Sequence, residues 1–126
     1  ETLMGREAAS LGLRFFQSNS EGGLIDRLEQ AREEAVQGLA FNAGALTHTS
    51  LAIADCLAWI EIPCVEVHVS NVWARRERLR QRSLMAAHCI GVVAGFGIMS
   101  YAMAVQALVH HLRGTVQELE RGTEEY

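Results

Sequence analysis

The stretch Pro63-Cys64-Val65-Glu66-Val67-His68-Val69-Ser70-Asn71 decides the fold, because it predicts one buried strand that ends in polar groups. Successive side chains of a strand point to opposite faces, so the three valines share one face while Glu66 and His68 share the other. Ser70 and Asn71 follow where the strand gives way to a loop. Since ligands of open parallel sheets bind outside the carboxyl ends of the strands, the stretch predicts both a core strand and a ligand site.

Glu66 and His68 form a candidate proton-donating pair. A carboxylate two residues before a histidine on the same face can accept the ring N–H, which fixes the tautomer and favours the protonated imidazole near neutral pH. The alternative is a hydrogen-bonded histidine of the core with Glu66 as its satisfied partner. The two residues alone do not separate these interpretations.

The composition restricts both the domain count and the chemistry. A chain of 126 residues can form one domain with a real core, residues 1–126, but not two. Its net charge of −4 gives no reason to expect a nucleic-acid partner. All eleven basic residues are arginine, and the absence of lysine excludes Schiff-base chemistry, a P-loop lysine and pyridoxal attachment.

Cysteine usage indicates a reducing compartment. Cys56, Cys64 and Cys89 are odd in number, lie in apolar runs and form no CxxC pair. This pattern predicts buried, reduced thiols of a cytoplasmic protein rather than a disulfide framework or a zinc site. Residues 89–109 carry no charge, but glycines interrupt them, so a strand, a glycine turn and a helix are favoured over a membrane span.

Strands and helices are predicted to alternate along the chain. Strands are predicted at residues 13–17, 38–42, 63–69 and 88–94, and helices at 1–10, 22–36, from about 51, 72–82 and from 98 onwards. Because the strands are almost entirely apolar, they predict an α/β fold in which helices cover both faces of a parallel sheet.

Three polar stretches fall at the carboxyl ends of predicted strands. They are NSEG at residues 19–22, NAGALTHTS at 42–50 and EVHVSN at 66–71. In order and spacing, together with Asp55 and with residues 91–97 followed by Tyr101, they resemble type II 3-dehydroquinate dehydratase. The resemblance covers about residues 8–112.

The resemblance implies a flavodoxin-like three-layer fold and trimers that are usually grouped into a dodecamer. It also implies a cytoplasmic lyase that converts 3-dehydroquinate to 3-dehydroshikimate, in the shikimate or quinate pathway, by anti elimination through an enolate. The family uses no metal, no other cofactor and no Schiff base, which agrees with the lysine-free composition.

The resemblance assigns roles to the polar residues. His68 corresponds to the general acid that protonates the departing hydroxyl, and Glu66 orients it. Asn42 corresponds to a substrate-binding amide, although an asparagine two residues before a glycine also suits a simple turn. His48 precedes a predicted helix, whose dipole disfavours the cationic ring, so a neutral hydrogen-bonding role is expected unless the residue is structural.

Three further positions are matched. Val69 and Ser70 correspond to the cradle of the substrate carboxylate. Asp55 corresponds to an acidic residue that reaches the site of a neighbouring subunit, and an exposed helix charge is the alternative.

The resemblance weakens at the arginine-rich segment, residues 74–83. One extra residue there makes Arg80 the candidate for the substrate-hydroxyl contact, with Arg75 in support, and a solvated basic face is the alternative. Trp73 and Ser20 also stand where the family commonly has histidine.

The ends of the chain depart further from the family. The family's first strand, which would lie between the strands at 13–17 and 38–42, and its lid with a catalytic arginine and the tyrosine base have no counterpart in residues 1–126. We therefore expect an upstream segment in the natural protein. Residues 113–126 form a polar C-terminal extension.

Two other functions remain as alternatives at this stage. One is a non-catalytic, oligomeric ligand-binding homologue without the lid, which the insertion at 75–82 and Trp73 favour. The other is a metal-dependent hydrolase that uses Glu66, His68 and His48, although no HExxH-type spacing is present.

Overall fold

The structure, a computed structural model, describes residues 11–124, with the side chains of its last helix described up to Gly114 and at Arg121. The helix predicted at residues 1–10 lies outside this range. In chain order the α-helices and strands described are α1 Glu21–Glu33, β1 Leu39–Phe41, α2 Leu51–Ile60, β2 Cys64–His68, β3 Gly91–Ala94 and α3 Met99–Glu124.

The strands form one parallel sheet in the order β1-β2-β3, with β2 in the centre. Ala40 is opposite Val65, and Val67 is opposite Val93. Helices α1 and α2 pack together on one face, and α3 crosses all three strands on the other. This arrangement confirms the predicted three-layer α/β fold.

Alternate side chains of each strand supply the two halves of the core. Cys64 contributes to a cluster with Leu28 of α1 and Ile53 of α2, whereas Val65 and Val67 pack against α3. Because side chains alternate along β2, Val65 and Val67 face α3, whereas Cys64, Glu66 and His68 point toward α1 and α2.

Serine hydroxyls fix where the first two helices begin. The Ser20 hydroxyl accepts a hydrogen bond from the Gly23 amide at 3.1 Å and starts α1, and the Ser50 hydroxyl accepts from the Ile53 amide at 3.0 Å and starts α2. Helix α1 ends earlier than predicted because Ala35 adopts a left-handed conformation with φ of 55°.

The strand predicted at residues 13–17 is wrong in this structure. The segment is irregular, and Phe15 and Phe16 are 87% and 54% exposed. A cleft of about 2010 Å³ lies between this segment, α1, β1 and the first half of α3. Without a neighbouring strand beside it, the segment cannot form the backbone ladder that defines a strand.

Two other elements are shorter than predicted. Residues 72–82 contain two 3₁₀ turns, Val72–Ala74 and Arg78–Gln81, separated by extended backbone instead of one helix. Of these residues only Val72 is buried, so the segment lacks the apolar stripe that holds a surface helix in place. The last strand begins at Gly91 because residues 86–88 form another 3₁₀ turn.

The helices and the cysteines bear on two further predictions. Within residues 11–124, no helix combines the length and apolar character needed to cross a membrane. Cys56 and Cys64 are buried free thiols, whereas Cys89 is only partly buried, which is less than the sequence predicted.

Candidate functional site

Glu66 and His68 meet at the carboxyl end of β2. The Glu66 Oε2 atom lies 2.7 Å from His68 Nε2, and the two residues are only 3% and 4% exposed. Because a carboxylate can only accept here, Nε2 carries the proton and Nδ1 is the ring nitrogen left for other chemistry. The geometry therefore defines the orientation of the imidazole.

His48 stacks against His68 from the 3₁₀ turn Gly44–His48. The two ring centroids are 6.5 Å apart with an interplanar angle of 15°. His48 Nδ1 lies 2.5 Å from the Arg82 carbonyl oxygen, and His48 Nε2 lies 3.1 Å from Arg75 Nη1. Since a carbonyl only accepts and a guanidinium only donates, both contacts are satisfied by the neutral ring with its proton on Nδ1.

Arg75 joins His48 to the loop after β2. Its Nη1 donates to His48, and its Nη2 donates to the Ser70 hydroxyl at 3.0 Å. Gln81 in turn donates to the Arg75 carbonyl. The extended backbone of Arg75, which is why the predicted helix is interrupted here, directs the guanidinium back toward β2.

The loop after β3 closes against the same strand end. The Gly95 amide donates to the His68 carbonyl at 3.2 Å. Gly95 has a φ of +98°, and a Cβ atom there would lie 3.3 Å from Asn71 Cβ. A glycine is therefore required by both the backbone conformation and the close approach.

Ser83 also belongs to this cluster, although no role was predicted for it from the sequence. Its hydroxyl donates to Glu66 Oε1 and accepts from the backbone amides of Met85 and Ala86. A serine ahead of a short turn is a local signal for the amide contacts. The contact with Glu66 joins residues 17 positions apart and has no local signal.

Asn42 follows directly after the last residue of β1. Its Oδ1 accepts from the Gly44 amide at 2.9 Å, as in the turn that its sequence context also suggested, and its Nδ2 donates to the Tyr101 hydroxyl at 2.9 Å. Asn42 also lines the cleft beside β1, whereas the lining within the described residues does not include His68.

Four other predicted site residues are at the surface. Val69 and Ser70 are exposed directly after β2, next to Arg75. Arg80 is exposed, and its backbone carbonyl rather than its guanidinium contacts Arg75. Asp55 is exposed on α2. The structure thus gathers His68, Glu66, His48, Ser70 and Arg75, and it leaves Asn42, Arg80 and Asp55 outside this cluster of contacts.

A thiol pair lies at the opposite, amino end of β2. The hydrogen bond with Cys89, followed by burial, raises the pKa of the Cys64 thiol, and the same hydrogen bond lowers the pKa of Cys89. Burial raises the pKa of Cys56. In residues 11–124, no three His, Cys, Asp or Glu side chains are grouped so as to hold a metal ion.

The comparisons with known proteins identify the family of the chain. The model of the family described as dehydroquinase class II matches residues 2–109. The chain is 51% identical over 115 residues to a 3-dehydroquinate dehydratase of Synechococcus sp. (strain CC9902), and 53% identical over 115 residues to that of Parasynechococcus marenigrum (strain WH8102). Each alignment covers 90% of this chain and 77% of the relative.

A solved structure supports the same assignment. The type II dehydroquinase from Butyrivibrio crossotus DSM 2876 superposes with a TM-score of 0.77 at 37% identity, over 84% of this chain and 74% of that one. The sequence motifs, the three-layer fold and these similarities have one explanation: the chain belongs to the class II dehydroquinase family.

Proposed function

We propose that this chain is a hydro-lyase that converts 3-dehydroquinate to 3-dehydroshikimate by anti elimination through an enolate. The observation that carries the proposal is the buried Glu66–His68 pair beside a neutral His48, in a chain about half identical to proteins named 3-dehydroquinate dehydratase. A proton donor of this kind is what the second half of such an elimination requires.

His68 supplies that proton. Once the hydrogen next to the ketone has been removed, the electron pair of the enolate re-forms the ketone and makes the ring double bond while the carbon–oxygen bond of the departing hydroxyl breaks. Hydroxide is a poor leaving group, so a proton from His68 Nδ1 converts it to water. Glu66 holds Nε2 and stabilises the imidazolium from which the proton comes.

The exposed loop after β2 receives the substrate carboxylate in this proposal. Val69 and Ser70 present backbone and hydroxyl groups, and the Arg75 guanidinium adds a positive charge next to them. His48 contributes a neutral imidazole, protonated on Nδ1, next to His68. The expected role of Asn42 in substrate binding requires its side chain to turn from Gly44 and Tyr101. The expected role of Arg80 requires its exposed guanidinium to turn toward Arg75 and Ser70.

Replacing Arg75 by lysine is expected to raise KM roughly 10- to 100-fold, because an ammonium cannot bond His48 and Ser70 at the same time and present a fork to a carboxylate. Steady-state kinetics measure the effect. The matched control is Arg76→Lys, at the exposed neighbouring arginine, which should leave KM unchanged. An Arg75→Lys enzyme with the wild-type KM would remove Arg75 from the binding site.

The proposal extends to assembly and location. Trimers grouped into a dodecamer would allow Asp55, which is exposed on α2, to reach the site of a neighbouring subunit. Light scattering gives the mass in solution, and a monomer would contradict this part. A cytoplasmic location is supported by the free thiols of the described residues and is tested by cell fractionation.

The function is tested by supplying the protein with 3-dehydroquinate and following 3-dehydroshikimate by its ultraviolet absorbance. Turnover is expected to continue after treatment with EDTA and with borohydride, which traps Schiff bases at lysine. Binding of the product without any turnover would instead identify a non-catalytic ligand-binding homologue.

A further inference from the structure

The Ser83 hydroxyl connects the Glu66 carboxylate to the backbone amides of Met85 and Ala86. Its oxygen accepts from the Met85 amide at 3.1 Å and from the Ala86 amide at 3.0 Å. A hydroxyl has two acceptor lone pairs and one hydrogen. With both lone pairs engaged by amides, the hydrogen is directed to Glu66 Oε1.

The orientation of the Ser83 hydroxyl determines how the Glu66 oxygens are bonded. One of its oxygens receives the Ser83 hydroxyl and the other receives His68 Nε2, so both oxygens must act as acceptors. A carboxylate offers acceptor lone pairs on both oxygens and can satisfy both donors. Because Glu66 is 3% exposed, loss of one donor removes a partner from a buried carboxylate oxygen.

Two peptide dipoles strengthen the donor. The Met85 and Ala86 amides polarise the Ser83 hydroxyl, and charge-assisted hydrogen bonds to a carboxylate are stronger than neutral ones. The amides belong to the segment before β3, which is anchored by Met85, a residue 1% exposed in the core. The carboxylate is thereby fixed to a rigid part of the molecule.

We propose that Ser83 is a positioning residue for the dehydration, acting through Glu66 to hold the His68 imidazole protonated on Nε2 and aligned toward the substrate. The expected effect of Ser83 on kcat rests on the proposed function, whereas its expected effect on the His68 Nε2 hydrogen bond does not. In this role Ser83 acts on His68 only through the Glu66 carboxylate.

A purely structural role for Ser83 makes a different prediction. As a capping hydroxyl, it would affect only the stability of the turn at residues 86–88. Ser20 performs the same capping on α1, accepting from the Gly23 amide at 3.1 Å, but it contacts no carboxylate in the described structure. Ser20→Ala is therefore the matched control for the loss of a capping hydroxyl.

The kinetic test compares Ser83→Ala, Ser83→Thr and Ser20→Ala in the full-length protein with 3-dehydroquinate. Ser83→Ala is expected to lower kcat roughly 10- to 100-fold with KM unchanged, since the lost donor acts on the proton-donating group rather than on binding. Ser83→Thr, which keeps the hydroxyl, should restore most of kcat. Equal kinetics of Ser83→Ala and Ser20→Ala would overturn the proposal.

A second measurement does not depend on turnover. In protein with ¹⁵N-labelled histidine, NMR spectra report which nitrogen of His68 carries the proton and how strongly it is hydrogen-bonded. Ser83→Ala should change the His68 Nε2–H signal, whereas Ser20→Ala should not. An unchanged His68 signal in Ser83→Ala overturns the proposal, even for a wild-type protein that shows no dehydration; absence of wild-type turnover contradicts only the proposed function.

Discussion

Replacing His68 by asparagine is expected to lower kcat for the dehydration by roughly 100- to 10,000-fold, the range typical of the loss of a general acid. Asparagine keeps a polar group in the buried position but has no proton to give at neutral pH. KM should stay near the wild-type value, because the Ser70–Arg75 contact that is proposed to receive the carboxylate does not involve His68. Steady-state assays of 3-dehydroshikimate formation measure both constants.

The matched control for this variant is His110→Asn. His110 is exposed on α3, away from the end of β2, so its replacement should leave both kinetic constants unchanged. A His68→Asn enzyme with more than about a tenth of the wild-type kcat would contradict the assignment of His68 as the acid, since general acids contribute more than that.

Replacing Glu66 by glutamine is expected to lower kcat by a comparable, roughly 100- to 10,000-fold factor without changing the size of the side chain. Glu66 accepts from both Ser83 and His68, but glutamine offers one acceptor oxygen and one amide donor. The amide NH₂ of glutamine must then face either the Ser83 hydroxyl or His68 Nε2–H, and both of these are donors. The clash is relieved only if His68 loses its Nε2 proton. The imidazolium is disfavoured in either case.

Circular dichroism and steady-state kinetics distinguish this effect from a loss of folding. Glu33→Gln, at an exposed glutamate of α1, is the control and should behave as the wild type. A folded Glu66→Gln enzyme with wild-type kcat would mean that His68 needs no anionic partner.

The sequence was most informative at β2. Its alternation correctly separates Val65 and Val67 from Glu66 and His68, because the period of two is a local property of any strand with both faces buried. The parallel sheet and the two helical layers follow from the same pattern. Ser20 and Ser50 cap the first two helices through hydrogen bonds to amides three residues ahead, so these two helix starts depend on local contacts.

Features that depend on distant partners could not be predicted. Residues 13–17 have the apolar composition of a strand, but strand formation depends on a neighbour with which to pair. Arg75 is extended rather than helical and contacts Ser70 and His48, and the sequence encodes those contacts only through the tertiary fold. The contact between Ser83 and Glu66 was missed for the same reason.

The most direct test of His68 as the proton donor separates the two halves of the reaction. In D₂O, mass spectrometry of recovered 3-dehydroquinate measures exchange of the hydrogen next to the ketone, while ultraviolet absorbance measures elimination. If His68 acts only on the departing hydroxyl, the His68→Asn enzyme will still exchange this hydrogen at a rate close to wild-type turnover and will form almost no 3-dehydroshikimate. If exchange and elimination fall together, His68 takes part in removing the first proton and the proposed role is wrong.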